Sequence, residues 1–359
     1  MAEQRGAPGP IRWGVLGTAR IARNYVFEAI RDAELCELTA VASRDPERGA
    51  ANAAEFDIAR VHDSYEALLA DPDIDAVYMP LPNDLHGPWI RAAADAGKHI
   101  LCEKPLALDA AEAQAIAAYC GERDVLLMEA FMYRFHPAWA EVRRLLDEGA
   151  IGRLTDLEIW FAFRSRQEAS DYRMTMARGG GALLDVGCYA VNLSRWLLGD
   201  EPSGVQAHAR MDASGEVDMT LSAILDYGDA TAVFTVSMEQ EPDHRVRLHG
   251  TRGWLSVADP FNCPADHATT ITIATGGDAH PHHCSLRDID VAVADQYGLQ
   301  ATAFARAILD GTGLPMPPED AVANLRLVAR VFAAAGIQGP SSGPGVGSRP
   351  SDACRPAHQ

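Results

Sequence analysis

Three short stretches in the first third of the chain place reactive residue types at meaningful spacing. In GVLGTARIA (14–22), Gly17, Ala19 and Ala22 occupy the small-residue positions of a G-x-G-x-x-G/A turn. Such a turn lets a pyrophosphate approach the backbone and sets it against a helix N-terminus. Gly17, Thr18, Ala19, Arg20 and Ile21 are therefore the expected phosphate-turn residues, with Ala19 departing from the usual second glycine. The second stretch, ASRD, puts Ser43 and Arg44 at a strand tip that in NAD-preferring sites carries an acid for the ribose 2′-hydroxyl. A hydroxyl and a guanidinium fork suit a 2′-phosphate, so the expected cofactor is NADP(H). Arg48 is either a second phosphate ligand or an ordinary helix-face charge. The third stretch runs from Ile100-Leu101-Cys102 into Glu103, Lys104 and Pro105. An apolar strand that meets two charges and a proline has reached the carboxyl edge of a sheet, where α/β proteins bind ligands. Leu81, Pro82, Asn83 and His86 follow another strand end and are expected beside the cofactor or in the loop that supports it.

These residues need a parallel sheet behind them, and the first third supplies its pattern. Strand signals at 11–17, 36–43, 75–82, 98–105 and 125–131 alternate with helix signals, which predicts a sheet with helices on both faces. After about residue 128 the texture changes. Long alternating runs at 154–164, 203–212, 219–228 and 231–240 follow one long helix at about 183–198 and predict a large, mostly antiparallel sheet. The expected organisation is a dinucleotide-binding domain over 1–128, an α/β substrate and oligomerisation domain over 129–337, and a Gly/Pro/Ser-rich disordered tail over 338–359.

Composition narrows the partners. With 31 basic against 50 acidic residues, the formal charge of −19 repels phosphate polymers and anionic lipid, so neither nucleic acid nor membrane is an expected partner. No apolar stretch has signal-peptide character or approaches the ~20 residues of a membrane span, so a cytoplasmic location is expected. Seven scattered cysteines without a C-x-x-C pair suit reduced thiols. The His/Cys-rich region at 263–284, with Cys263, His267 and HPHHC at 280–284, has no recognised zinc spacing, so no metal is expected.

DAVYMPLPNDLHGPWIRAAADAGKHILCEKPLA, followed by MEAFMYRFHP and GGGALLDVGCYAVN, resembles the Gfo/Idh/MocA oxidoreductase family over nearly all of 11–336. The resemblance implies an N-terminal Rossmann domain and a C-terminal α/β domain whose open sheet often joins subunits. The family's usual second-domain signature is D-x-G-x-H; here Asp185-Val186-Gly187-Cys188-Tyr189 places tyrosine at the histidine position. That exchange is similar to the subgroup containing dimeric dihydrodiol dehydrogenases, NADP-dependent D-xylose dehydrogenases and some nucleotide-deoxysugar ketoreductases. Asn192 stands where other members often carry an acid.

The resemblance implies Lys104, Tyr189 and Asp185 as catalytic residues, with Tyr133, Arg134, Phe163 and Arg164 beside Asp185 and Tyr189 in the substrate pocket. Oxidising a hydroxyl requires a base, yet free tyrosine, with a pKa near 10, is mostly protonated at neutral pH. Favouring its anion takes about 4 kcal/mol, roughly what one cation at ~4 Å supplies at an effective dielectric of about 20. Lys104 is the expected source of that charge, or is itself the acid/base. The expected activity is hydride transfer between NADP(H) and a sugar or cyclic polyol carbon, with aldose 1-dehydrogenation the best-matched case. A keto-sugar reductase, including a nucleotide-linked one, is the alternative enzyme, and RSRQEASDYRMTMAR (164–178), with its four arginines, keeps it open. A non-catalytic NADP-sensing regulator is the alternative outside enzymology. One sheet face without an intrachain cover predicts a homo-oligomer.

Overall fold

The computed structural model describes residues 9–165, 171–276 and 284–342. Two compact units emerge among them: one holds the chain up to Ala130 together with Tyr297–Val322 and the chain from Ser342, the other holds Phe131–Gln296 and Ala323–Ser341. The sequence reading placed one boundary at 128/129; residues 297–322 instead pack with the first unit.

The first unit contains six strands, β1 (Ile11–Leu16), β2 (Cys36–Ala42), β3 (Arg60–His62), β4 (Ala76–Met79), β5 (His99–Cys102) and β6 (Leu127–Glu129), in the order β3-β2-β1-β4-β5-β6. Every pairing is parallel. The order reverses between β1 and β4, so a crevice opens beyond their carboxyl ends. Helices α1 (Phe27–Asp32), α2 (Pro46–Phe56), α3 (Tyr65–Leu69), α4 (His86–Asp95) and α5 (Ala110–Gly121) fill the crossovers. Their starts are set by side chains: Asp45, Ser64 and Asp109 each accept a hydrogen bond from a backbone N–H in the first turn. A π turn over Ala22–Val26 leads into α1. Asp109 also accepts from Ser342 N and Oγ at 2.7 and 2.8 Å. Most of the tail expected to be disordered, 343–359, lies outside the described residues.

In the second unit α6 (Pro137–Asp147) precedes β7 (Leu154–Arg164), and α7 (Cys188–Leu198) precedes seven strands: β8 (Gly204–Met211), β9 (Asp218–Asp226), β10 (Thr231–Ser237), β11 (Glu239–Gly250), β12 (Gly253–Val257), β13 (Thr269–Gly276) and β14 (Cys284–Val291). Helices α8 (Gln296–Asp310) and α9 (Pro318–Ala334) follow. The eight strands form one sheet in the order β14-β13-β12-β11-β7-β10-β9-β8, antiparallel except for β7 with β10. Alternation puts Leu157, Ile159, Phe161, Leu221, Phe234, Val246 and Leu255 on a buried face. On the opposite face one cross-strand row runs Gln206, Ile224, Val233, Glu158, Arg247, Ser256, Thr272, Asp288. Ile224 and Val233 there remain 42% and 39% exposed. The expected fold class, a Rossmann domain plus an α/β domain with a large, mostly antiparallel open sheet, is what forms. Among the described residues no helix is long and apolar enough to cross a membrane.

Candidate active site

At the carboxyl edge of the first sheet a cavity of about 220 Å³ is lined on one side by Gly17, Thr18 and Ala19. Gly17 has φ +110°, which side-chain-bearing residues rarely adopt, and a Cβ there would press within 3.2 Å of Tyr65 Oη. Its N–H donates to Ala42 O at 2.9 Å, tying the turn to the tip of β2. That tip supplies Ser43, Arg44 and Asp45, and the following helix supplies Arg48. Asp45 accepts from Arg48 N at 3.1 Å and so serves as the N-cap of α2. The acid at the strand tip is therefore engaged, while two guanidinium side chains and a hydroxyl line the cavity. Tyr65, Pro80, Leu81 and Pro82 complete the wall. Arg20 is exposed and Ile21 half-buried at the helix start, outside this lining.

Beyond β5 the Glu103–Lys104–Pro105 segment is held from several sides. Tyr78 Oη donates to Glu103 Oε1 at 2.6 Å, and the Lys104–Pro105 peptide is cis. Leu106 N donates to Glu129 Oε1 at 2.7 Å, and Leu108 N to Glu112 Oε2 at 3.1 Å. Glu129 is buried, and burial pushes its carboxyl up to about 8. His86, wholly buried, has Nδ1 2.9 Å from Pro105 O and Nε2 2.9 Å from Leu81 O. Both ring nitrogens face backbone oxygens, so the side chain braces the loop after β4 against the segment after β5. Asn83 is likewise buried at the start of the short turn before α4.

In the second unit a π turn over Leu183–Gly187 leads into α7, so Asp185 and Tyr189 stand one helical turn apart. The helix entrance is closed from another strand: Leu183 N donates to Asp218 Oδ2 at 2.8 Å. Asp218 is fully buried, and burial raises its carboxyl to about 7. Gly181, with φ +99°, must be glycine, since a Cβ would collide with Asp218 Oδ1. Asp185, itself buried, accepts from Arg173 Nε at 2.8 Å. Tyr189 sits in an aromatic cage, its ring centroid 5.1–5.4 Å from those of Phe131, Phe161 and Phe261, with Oη 3.6 Å from Met132 Sδ.

The family model described as an oxidoreductase family with an NAD-binding Rossmann fold matches residues 11–131, and the GFO/IDH/MocA C-terminal domain matches 139–256. The chain belongs to the Gfo/Idh/MocA oxidoreductase family. Among its family relatives, D-xylose 1-dehydrogenase (NADP(+)) 2 of Haloferax volcanii is 39% identical, over 90% of this chain and 97% of that protein. A dTDP-3,4-didehydro-2,6-dideoxy-alpha-D-glucose 3-reductase from Actinomadura kijaniata is 35% identical, over 90% of this chain and 95% of that one. The crystal structure of a 3-ketoreductase from A. kijaniata in complex with NADP and TDP-benzene is 34% identical with a TM-score of 0.84, covering 91% of this chain and 98% of that chain.

Against the Gfo/Idh/MocA pattern, the expected substrate residues fare unequally. Tyr133 is fully buried, hydrogen-bonded through Oη to Asn192 Oδ1 at 2.5 Å and edge-on to Trp139 and Phe261. Its ring also packs 5.9 Å from that of Tyr189. Arg134 stacks over Trp196 at 4.7 Å, and Arg164, at the end of β7, pairs with Glu241 at an exposed position. Phe163 is half-buried. Cys263 is buried and His267 pairs with Asp266, while 277–283 lie outside the described residues. Sequence reasoning missed Tyr65, Glu129, Arg173 and Asp218.

Proposed function

We propose that the protein is a cytoplasmic NADP(H)-dependent oxidoreductase acting on a sugar or cyclic polyol, with oxidation of an aldose at C1 to its lactone the best-matched reaction. The observation that carries the cofactor preference is the cavity at the β2 tip, where Ser43, Arg44 and Arg48 converge and Asp45 is committed to capping α2. An anionic 2′-phosphate meets donors there, whereas an unengaged acid would repel it. Gly17, Thr18 and Ala19 fit a pyrophosphate at close backbone approach. Arg20 and Ile21 extend the turn, Leu81, Pro82 and Asn83 line or support the nicotinamide side, and Glu103 with Lys104 follows the end of β5 beside it. When bound, NADP(H) accepts or returns the hydride.

The chain's own residues handle the proton. Tyr189 takes it from the hydroxyl being oxidised and returns it in reduction; Lys104 supplies the positive charge that stabilises the developing alkoxide; Asp185 orients the hydroxyl. The aldose reading is supported by the 39% identity to the NADP-dependent D-xylose dehydrogenase. A second reading, reduction of a keto-sugar, is supported by the similarly complete likeness to the deoxysugar 3-reductase. A screen separates them: NADP reduction over free aldoses, and NADPH oxidation over keto-sugars. Turnover in neither arm, despite tight NADPH binding, would overturn both readings and leave the sensing role.

We also infer a homo-oligomer joined through the outer face of the eight-stranded sheet. Ile224, Val233 and Leu286 stand exposed there among Ser, Thr and charged side chains. A monomer by light scattering at micromolar concentration would refute it.

A further inference from the structure

We propose that Arg173 is a positioning residue that fixes the Asp185 carboxylate for catalysis; the inference rests on the role proposed above for Asp185. The guanidinium is itself fixed from several directions. Its Nε donates to Asp185 Oδ2 at 2.8 Å, its NH1 reaches Asp171 Oδ1 at 3.3 Å, and its plane lies over the Tyr172 ring at 4.8 Å. The backbone is anchored as well. Arg173 N donates to Asp171 Oδ1 at 3.1 Å, and Arg173 O accepts from Gly181 N at 3.0 Å. Gly181 is the residue whose missing Cβ lets Asp218 reach the helix entrance. One loop thus ties together the cation, the start of the helix and the carboxylate four residues into it.

The geometry goes beyond packing. The Asp185 side chain is 8% exposed and the Arg173 side chain 33%, so the carboxylate is withdrawn from water while the cation keeps contact with it. A buried carboxylate holds its charge only with charged or hydrogen-bonding support, and the guanidinium N–H donating to Oδ2 gives it both a countercharge and a directed hydrogen bond. Asp185 is in turn the largest influence raising the Arg173 pKa. Four arginines at 164–178 could be read as ligands for a nucleotide phosphate; at Arg173 the partner is Asp185.

The test uses Arg173→Ala, Arg173→Lys and Asp185→Asn in the full chain, assayed on whichever substrate the screen above identifies. For Arg173→Ala we expect kcat to fall about 10- to 100-fold, the usual cost of losing a residue that orients an essential group. NADPH affinity should stay within about twofold of wild type. Guanidinium chloride at a sub-denaturing concentration should restore part of the lost turnover in Arg173→Ala and none in Asp185→Asn. Arg173→Lys, which keeps the charge and the fold but not the fork, should lie between. Loss of turnover without guanidinium rescue, or an Arg173→Ala enzyme as fast as wild type while Asp185→Asn is impaired, would overturn the inference and leave the proposed function standing. Full activity in Asp185→Asn would instead overturn the catalytic role of Asp185.

Discussion

His86 Nδ1 lies 2.9 Å from Pro105 O while its Nε2 lies 2.9 Å from Leu81 O, so one buried imidazole spans the wall of the nucleotide cavity and the segment that carries Lys104. Carbonyl oxygens only accept, and a neutral imidazole has a single N–H. Two contacts therefore ask for the charged ring, while burial, the larger influence, lowers its pKa. The compromise has a pH signature. A histidine harder to protonate when folded than when unfolded contributes stability above the ordinary 6.5, and that stability is lost as pH falls through 6.5 toward the lower folded value. His99, His136 and His244 are lowered by burial in the same direction. Denaturation midpoints should therefore drop on the acid side. His86→Asn should remove part of that dependence while lowering stability by about 1–3 kcal/mol at neutral pH through the lost bracing contacts. An unchanged acid limb in His86→Asn would count against the assignment.

Two of the buried carboxyls act on the other side. Glu129, raised from 4.5 to about 8, and Asp218, raised from 3.8 to about 7, hold a proton more readily when folded than when unfolded. Their contributions are full below those ordinary values and are lost as pH rises through the folded ones. Stability should thus peak in the mildly acidic range. Glu129→Gln and Asp218→Asn keep an acceptor for Leu106 N and Leu183 N but cannot ionise, and each should flatten the alkaline decline of its own unit. Hydrogen exchange at Leu106 and Leu183 across that pH range would report each unit separately. A decline equally steep in both variants would place its origin elsewhere.

What the sequence disclosed follows from how each feature is encoded. The strand at 154–164 and those near 204–211, 218–226 and 231–237 were legible because one buried and one open face force strict alternation. β3, with three residues, is too short to leave a period, and β11 opens with a polar run, Glu239-Gln240-Glu241, that hides its strand character. The phosphate turn and the Ser43–Arg44 tip were legible because strand, turn and helix fix their spacing. Glu129, Arg173 and Asp218 are joined to their partners across 23, 12 and 35 residues, and no local pattern encodes such pairings. The burial of Tyr133 was hidden for a related reason: its spacing could serve either a pocket or a core, and the Asn192 contact it makes lies 59 residues away.

Cofactor preference should depend on the β2 tip. Arg44→Ala should weaken NADP binding by about 1.5–3 kcal/mol through loss of a charged donor, with little change for NAD. Arg48→Ala should act in the same direction, since its side chain lines the same cavity. Binding titrations with both nucleotides check this, and equal losses for NAD and NADP would remove the 2′-phosphate assignment.

Chemistry should depend on Tyr189 and Lys104 without depending on cofactor affinity in the same way. Tyr189 lies in the second unit, inside a cage of aromatic rings that holds its phenol in place, and Phe at 189 would preserve every ring contact while deleting the one group that can carry a proton. Tyr189→Phe should therefore fold normally and bind NADPH nearly as wild type, yet turn over about 10²–10⁴-fold more slowly, the usual worth of general acid–base catalysis. Lys104→Ala should lower kcat comparably but also disturb NADPH binding, because Lys104 follows β5 at the carboxyl edge of the sheet that carries the nucleotide cavity. Stopped-flow turnover and NADPH fluorescence titration on both variants separate the two effects. Near-full turnover in Tyr189→Phe would make Lys104 the acid/base, since a lysine on a partly buried loop can carry a proton itself.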